Sequence, residues 1–226
     1  QDLLQSGPML GYSEMREVLI WVQTNEPAEV QVAYWPEGKD DLVELTDSYT
    51  TNKAEVYTAK LIADEGEPGF TYEYELWING RAVELDYPTT FQAQELWQWR
   101  TDPPKFTMAL GSCSYVNEPV YDRPGNSYGG SYEIFTSIHK MRPDAMLWLG
   151  DNTYLREVDW NSRTGIMARY THTRSLPEMQ PLLASTHHYA IWDDHDYGPN
   201  DSDRSYIHKN TTLEAFRRFW GNPTYG

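Results

Sequence analysis

Three short segments of the chain carry the side chains best suited to bind metal ions. Residues 192–201 contain four carboxylates and a histidine, residues 150–154 contain an aspartate and a tyrosine, and residues 111–114 contain the single cysteine. Carboxylates held close together cannot all stay ionised unless a cation or strong hydrogen-bond donors compensate their charge. Carboxylate, imidazole and thiolate groups in one place are typical of a metal centre. The spacing therefore predicts one metal site built from three segments.

Cys113 has three alternative roles. A free cysteine is most often an inert small hydrophobe, but it can also act as a thiolate nucleophile beside His195 or as a soft metal ligand. Nearby carboxylates would raise the pKa of the thiol and oppose formation of the thiolate. A bound metal ion removes this objection because it supplies positive charge. Metal ligation is therefore the favoured interpretation of Cys113.

Asp151 and Tyr154 follow an apolar run through Gly150. The Asp151 carboxylate can bridge two cations through its two oxygens, although a loop aspartate or a helix N-cap would also fit this position. Tyr154 could bring a phenolate to the same place. Tyrosine is a rare ligand that suits a strongly Lewis-acidic ion such as ferric iron, and packing is its ordinary role. The residues alone leave both alternatives open.

The densest cluster offers several further candidates. We expect Asp194 to bind metal directly, Asp193 to orient the loop, and Asp196 to hydrogen-bond His195 and set its tautomer. The alternative is a set of polar turn residues around Gly198. The other histidines lack comparable settings and are expected at the surface or in packing: His139, His172, His187, His188 and His208.

Each of the three segments follows a short apolar run, which predicts a buried strand that ends in a loop. The runs are residues 106–110, 145–149 and 189–192. A predicted helix over about 132–141 separates the first two strands, so they should be parallel with a right-handed crossover. Ligands bind beyond the carboxyl ends of strands in open α/β sheets, which places the segments together. Further helices are predicted near residues 164–174 and 177–184 and, after capping-box spacing at residues 211–214, up to residue 220.

The first hundred residues alternate with period two, which is typical of strands with one buried face. Asn79-Gly80 provides the positive φ angles of a type I′ hairpin turn. Short strands with frequent turns predict an all-β sandwich of the immunoglobulin or fibronectin type. Pro103 and Pro104 mark a boundary between this module, residues 1–101, and an α/β domain, residues 102–226. The predicted strands are residues 16–24, 30–35, 54–62, 72–78, 81–85 and 89–97.

The composition restricts the partners of the chain. With 34 acidic and 18 basic residues, the formal charge is −16, which argues against nucleic-acid binding because no basic run could neutralise phosphates. This charge is compatible with hard cations such as calcium. No apolar stretch approaches twenty residues, so no membrane span is expected. The chain begins with Gln1, which is compatible with a removed signal peptide and a secreted, periplasmic or cell-surface protein.

The three motifs, taken in order after an all-β module, resemble those of the PhoD-like alkaline phosphatases, a branch of the calcineurin-like metallophosphoesterases. The motifs are Gly111-Ser112-Cys113, residues 150–154 and residues 192–201, and the match in motifs runs from Lys105 to the C-terminus. The resemblance implies that the β-sandwich is followed by the first half of an α/β (α-β-β-α) metallophosphatase domain.

The resemblance also implies roles for the site residues. A ferric ion would be held by Cys113, Asp151 and Tyr154, and Asp151 would bridge to calcium. Asp194 would take the place of the metal-binding asparagine found in related phosphoesterases. His195 would steady the phosphoryl group and protonate the leaving oxygen. Zinc or manganese are alternative occupants of the same ligands.

The activity implied is hydrolysis of phosphate mono- or diesters by a metal-bound hydroxide, with small phosphate esters or phosphodiester polymers as substrates. The family's later histidine ligands are not present before Gly226. We therefore expect a fragment or an early-ending chain with weak or absent activity. Two other hypotheses are a non-enzymatic β-sandwich adhesion or sugar-binding module with an inactive partner domain, and Cys-His hydrolase chemistry with Cys113 and His195.

Overall fold

The computed structural model describes residues 3–225, and the first half of this stretch is mostly β-structure. Its strands are β1 (Leu4–Ser13), β2 (Val18–Thr24), β3 (Glu29–Pro36), β4 (Glu44–Leu45), β5 (Tyr49–Thr50), β6 (Thr58–Ala63), β7 (Thr71–Ile78), β8 (Arg81–Ala82) and β9 (Thr90–Gln92). They form two antiparallel sheets. One has the order β1-β2-β6, and the other has the order β4-β3-β7-β8, with β5 paired to β3 and β9 paired to β7.

Period-two alternation determines how the larger sheet meets its partner. In β7, Tyr72, Tyr74, Leu76 and Ile78 are buried, and the residues between them face outward. Together with residues of β2, β3 and β6 they form one apolar core between the two sheets. Asn79 and Gly80 have positive φ angles of 49° and 71°, as a type I′ turn requires. The predicted hairpin between β7 and β8 is therefore confirmed.

Several features of this region differ from the sequence-based expectations. Strands β4 and β5 have no counterpart among the predicted strands, and the predicted strand 81–85 is limited to β8. Strand β1 was not expected, because Gly7, Pro8 and Gly11 interrupt its alternation. Residues 53–55 form a 3₁₀-helix instead of the start of a strand, because the Asn52 side chain accepts a hydrogen bond from the Glu55 N–H and caps the turn. The last predicted strand, residues 89–97, is limited to β9.

The second half contains a parallel sheet with helices. Its elements are β10 (Met108–Gly111), α1 (Glu133–Lys140), β11 (Ala145–Leu149), α2 (Arg163–Arg174), α3 (Gln180–Ser185), β12 (His187–Ile191), α4 (Asp194–Tyr197) and α5 (Lys209–Phe219). The sheet has the order β10-β11-β12, and both pairings are parallel. The predicted strand–helix–strand unit is confirmed in its parallel pairing. In the described part of the chain, no helix is long and apolar enough to cross a membrane.

Helix α5 begins earlier than predicted, and helix α4 was not predicted as a helix. Helix α5 starts at Lys209, so Thr211 lies inside the helix and does not cap it. Glu214, the presumed partner in a capping box, instead forms ion pairs with Arg163 and Arg218. Residues 194–197, expected as a loop, form the short helix α4 because Asp193 caps its N-terminus.

The two halves of the chain share a second apolar core. Met9, Leu19 and Trp21 are buried on the face of the β1-β2-β6 sheet that points away from the first core, and they pack among residues of β11, α2, α3 and α5. The Trp21 Nε1 donates a hydrogen bond to the Arg218 carbonyl at 2.8 Å. The proposed boundary at residues 101 and 102 stays a prediction, and Gln1 and Gly226 lie outside the described residues.

The two edges of the parallel sheet are treated differently. At the β12 edge, the Asn222 side-chain amide donates to the Ala190 carbonyl and accepts from the Ala190 N–H, as a neighbouring strand would. At the β10 edge the apolar side chains of Met108 and Leu110 are exposed, Leu110 by 63%. The N–H and carbonyl of Ala190 in β12 are therefore satisfied by the chain itself, whereas β10 presents an open edge within residues 3–225.

Candidate metal centre

The candidate site lies at the carboxyl ends of the three parallel strands, where the sequence predicts it. After β11 the chain turns sharply through Gly150 and Asp151, which have φ angles of 97° and 52°. A Cβ at Gly150 would lie 2.7 Å from the Cβ of Asp193, so glycine allows the β11 and β12 loops to approach. Cys113, after β10, also has a positive φ of 58°. The loops that follow the three strands therefore meet at one place.

Asp151, Asp194 and His195 each offer one ligand atom, and these atoms all lie within 4.8 Å of one another. All three residues are half-buried. The His195 backbone N–H donates to the Asp194 carboxylate at 3.0 Å and, more weakly, to Asp151 at 3.3 Å. Two carboxylates and an imidazole at this separation form a donor set that suits a divalent or trivalent cation.

Cys113 and Tyr154 both contact the Asp151 carboxylate. The Tyr154 hydroxyl donates to Asp151 Oδ2 at 3.1 Å, and the Cys113 Sγ lies 3.7 Å from the same oxygen. The loop after β10 is tied to this turn, because the Cys113 N–H donates to the Gly150 carbonyl and the Ser114 N–H to the Asp151 carbonyl. The structure thus brings the four predicted metal ligands, Cys113, Asp151, Tyr154 and Asp194, together around Asp151, and His195, predicted as a catalytic residue, lies beside them.

Asp196 does not hydrogen-bond the His195 ring, so this expectation is wrong. Its buried carboxylate accepts hydrogen bonds from the backbone N–H groups of Asn152, Thr153 and Asp193 at 2.9–3.0 Å. Burial raises the pKa of Asp196 to about 7, and these N–H groups act in the opposite direction. Asp196 therefore fastens the loop after β11 to the loop after β12.

Asp193 and Asp201 fix the orientation of Asp194. Asp193 forms a capping box with Asp196 at the N-terminus of α4. The Asp201 N–H donates to Asp194 Oδ2, which leaves that carboxylate pointing toward Asp151. The expectation that Asp193 organises this loop agrees with its place as the N-cap.

The electrostatics of the site fit a cation. Burial, followed by contacts with Cys113 and Asp151, raises the pKa of the Tyr154 phenol well above its ordinary range. Without added positive charge the phenol therefore stays protonated and donates to Asp151. A metal ion would stabilise the phenolate and the clustered carboxylates together. The residues present fit a bound metal.

A cavity of about 960 Å³ opens beside these residues. Cys113, Tyr154, His195 and Asn200 line it together with side chains that do not belong to the predicted site: Tyr115, Arg123, Tyr128, Arg156 and Trp160. For Arg123 and Tyr128 the glycine- and tyrosine-rich composition of residues 117–130 was the available signal, because such loops often carry binding residues.

The remaining histidines lie outside this site. His187 and His188 are buried in β12, and burial lowers the pKa of both. The Nδ1 of His187 lies 2.9 Å from the Gly11 carbonyl, and His139 contacts Ser185. His172 contacts the Asn117 carbonyl through Nε2. Packing and surface roles were expected for these residues.

Comparisons with known proteins show a similarity of fold. The family profile of a domain of unknown function (DUF7800) matches residues 1–96. A comparison with curated proteins finds no match. A solved structure of PhoD aligns with 96% of this chain and 46% of its own chain, with a TM-score of 0.74 and 14% identity. The chain therefore has a PhoD-like fold and spans less than half the length of that protein.

Other solved structures align only with smaller parts of the chain. The sensor domain of the anti-sigma factor RsgI4 in Pseudobacteroides cellulosolvens covers 40% of this chain and 98% of its own, with a TM-score of 0.31 and 15% identity. A human FNIII domain covers 44% of this chain and 84% of its own, with a TM-score of 0.29 and 14% identity. These scores are too low to support an argument about the fold.

Proposed function

We propose that this chain carries the metal-binding part of a phosphoester hydrolase. The observation that carries the proposal is the convergence of Asp151, Asp194 and His195 within 4.8 Å, at the ends of parallel strands. The fold similarity to PhoD supports it, because the alignment covers 96% of this chain. In this proposal residues 102–226 correspond to the first half of a metallophosphatase domain, preceded by a β-sandwich of the immunoglobulin or fibronectin type.

We assign the candidate ligands of the site to two sets, one for ferric iron and one for calcium. Cys113, Asp151 and Tyr154 would hold ferric iron, since phenolate and thiolate ligands suit a strongly Lewis-acidic ion. Asp151 and Asp194 would hold calcium, which prefers carboxylate oxygens. Bound cations would activate water and neutralise the charge that develops on the phosphoryl oxygens.

The protein groups around the ions have separate tasks. His195 would donate a hydrogen bond to a phosphoryl oxygen and a proton to the leaving oxygen. Its backbone N–H bonds to Asp151 and Asp194 hold it in place, and its ring lies 4.3 Å, centroid to centroid, from the ring of Tyr154. Asp196 keeps the two loops in register through its backbone hydrogen bonds. Export from the cytoplasm and small or polymeric phosphoesters as substrates belong to the same proposal.

The test is metal binding and turnover by the Asp151→Asn variant. Because even outer-shell partners of metal sites contribute 10- to 100-fold to affinity, we expect loss of the contacted ligand to weaken iron and calcium binding by more than about 100-fold. Hydrolysis of bis(p-nitrophenyl) phosphate should fall with it. Element analysis and calorimetric titration measure the metals.

Asp203→Asn is the matched control. Asp203 is an exposed aspartate whose carboxylate accepts only from the nearby Ser205 among the bonds described. This variant should bind metal as the unaltered chain does. Equal metal affinity in Asp151→Asn and Asp203→Asn would contradict the proposed site.

A further inference from the structure

We propose that the cavity beside the metal centre binds the alcohol part of a phosphate ester, and that this part carries a planar aromatic ring. A nucleoside and an arylalkyl alcohol share this chemistry. The part of the inference that concerns the phosphate group rests on the proposed function. The part that concerns the aromatic ring rests on the residues that line the cavity.

The wall is a row of aromatic rings that starts at the metal centre. The Tyr154 ring centroid lies 4.3 Å from that of His195 and 5.0 Å from that of Tyr115, and the Tyr115 centroid lies 4.6 Å from that of Tyr128. All four residues line the cavity. We call Tyr154, Tyr115 and Tyr128 the tyrosine wall. Flat rings pack favourably at such separations, so a planar ligand ring can extend the row.

Tyr115 is held rigidly before any ligand arrives. Its hydroxyl donates to Asp122 at 2.9 Å, and the Arg156 guanidinium lies 4.0 Å from its ring centroid. Arg156 is itself buried and paired with Asp122 at 2.9 Å. A fixed ring loses little conformational entropy on binding, so Tyr115 is a preorganised contact surface.

Tyr128 has a fixed backbone and an exposed ring. The side-chain amide of Asn117 accepts from the Tyr128 N–H at 3.0 Å and donates to the Tyr128 carbonyl at 2.9 Å. The residue is nevertheless 59% exposed, and within residues 3–225 its hydroxyl has no hydrogen bond. Its ring is therefore available for a ligand, and its removal should leave the loop backbone in place.

The charges around the cavity favour a small ester over a polyanion. Among the described residues that line it, the cations are Arg123 and Arg156, and each is paired with a carboxylate, Glu157 or Asp122. No unpaired cation there would neutralise further phosphates, and the whole chain carries a charge of −16. Selection by the wall is therefore expected to depend on ring contact.

The first experiment compares substrates that differ only in the ring. Uridine 5′-monophosphate and ribose 5-phosphate share the same primary alkyl ester, as do 2-phenylethyl phosphate and ethyl phosphate. Stacking of a base on an aromatic side chain corresponds to roughly 5- to 100-fold, so we expect kcat/KM at least about fivefold higher for the ring-bearing member. A preference only in the uridine pair identifies a nucleoside ligand, and one only in the phenylethyl pair identifies an arylalkyl ligand.

Variants of Tyr128 test whether the preference for ring-bearing substrates depends on the tyrosine wall. Tyr128→Ala should reduce the ratio of kcat/KM within the preferred pair to near one, and Tyr128→Phe should restore it because the ring remains. Tyr121→Ala is the matched control, since Tyr121 is an exposed tyrosine of the same loop that does not line the cavity. A ratio near one in the unaltered chain, or an equal ratio in Tyr128→Ala, would overturn the inference.

A binding experiment separates this inference from the proposed function. Saturation-transfer NMR of the metal-free chain with uridine and 2-phenylethanol, which carry no phosphate, should show contact that Tyr128→Ala removes. Such contact in a chain that binds iron and calcium no better than its Asp151→Asn variant would refute the proposed metal centre and retain the ring site. Hydrolysis with no ring preference, and no contact by either ring, would refute the ring site and retain the hydrolase.

Discussion

His188 is a buried base that the fold holds in one protonation state. The Trp148 Nε1 donates to His188 Nδ1 at 2.9 Å, and His188 Nε2 lies 3.1 Å from the Leu182 carbonyl. Nδ1 therefore accepts and Nε2 carries the proton. Burial, which disfavours the imidazolium, lowers the pKa from the ordinary 6.5 to about 3.

This shift predicts a loss of stability on acidification. Between pH 6.5 and 3 the unfolded chain binds a proton at His188 that the native chain does not, so the free energy of unfolding falls as pH falls through this window. From pH 7.5 to 5.5 this residue alone should remove about 1.4 kcal/mol. Urea unfolding measures the change.

Comparison with a histidine variant isolates the contribution of His188. In His188→Gln, which keeps a side chain able to donate and accept, the loss between pH 7.5 and 5.5 should be smaller by that amount. His172→Gln, at a half-buried helix position, serves as the reference. An unchanged pH dependence in His188→Gln would refute the buried neutral base.

Residue types and spacing predict which candidate ligands meet better than they predict the residues that hold those candidates in place. The types and spacing of Asp151 and Asp194 suffice to expect them in one site, and the structure places them together. The role of Asp196 could not be read in this way, because its partners are backbone N–H groups from another loop. Such bonds leave no side-chain pattern in the sequence.

At the scale of elements, Gly150 controls how closely the β11 loop meets the β12 loop. Its φ is 97°, and a Cβ there would lie 2.7 Å from Asp193 Cβ and 3.1 Å from Asp193 N. Gly150→Ala therefore combines backbone strain with a steric clash, and we expect it to lower the free energy of unfolding by about 2 kcal/mol or more. Metal affinity should decrease as well.

Gly80→Ala is the matched control for this substitution. Gly80 has a similar positive φ of 71°, but a methyl group added there would meet no atom within 4 Å beyond its chain neighbours, in contrast to Gly150. Gly80→Ala should lower the free energy of unfolding by about 1 kcal/mol, which is the strain of a residue with left-handed backbone angles alone. Chemical denaturation of both variants provides the comparison, and equal costs would contradict a role for close loop contact.

Helix α2 is attached to the loops around the site by a buried ion network. The Arg169 guanidinium, only 1% exposed, contacts Asp159 at 2.8 Å and Glu118 at 2.7 Å. Arg169→Met would leave the buried Asp159 charge unpaired, so we expect a loss of about 3–5 kcal/mol in stability. Arg163→Met removes an exposed pair with Glu214 and should cost at most about 1 kcal/mol. Thermal unfolding measures both variants. Similar losses of stability in Arg169→Met and Arg163→Met would contradict a stabilising role of the buried ion network.

Period-two and strand–helix patterns identify elements well where one face is buried. They fail where a single polar side chain starts a short helix by accepting a hydrogen bond from a backbone N–H. This occurs at the 3₁₀-helix capped by Asn52 and at α4, capped by Asp193. In both places a side chain satisfies an N–H that a strand or loop would leave to another partner. Such caps depend on one residue and carry no periodic signal.

At the scale of the whole molecule, the shared core predicts a single unfolding transition. Trp21 comes from the N-terminal sheet, is fully buried, and its ring lies 5.7 Å from that of Phe219 in α5. Trp21→Ala should therefore destabilise both halves together, by about 3–5 kcal/mol. Hydrogen exchange of β7 and of β11 would report the two halves separately.

Trp99→Ala is the control for that experiment, because Trp99 is 96% exposed and its loss should change stability by no more than about 0.5 kcal/mol. Loss of protection in β11 without loss in β7 would show that the halves unfold independently. It would also favour a boundary near residue 101. No periodic pattern in the sequence indicates this shared core, since Met9 and Trp21 meet partners more than a hundred residues away.

The open edge of β10 links the behaviour of the chain in solution to ionic strength. Among residues 3–225 the outer backbone groups of β10 have no strand partner, and together with the exposed Met108 and Leu110 they can accept a strand from another molecule. A charge of −16 keeps molecules apart in dilute buffer, but salt shortens the range of this repulsion to about 10 Å at 0.1 M. Added divalent cations would also screen and cancel acidic charge, so they would bring exposed edges within reach of each other. Colloidal stability should therefore fall as salt or divalent cations are added.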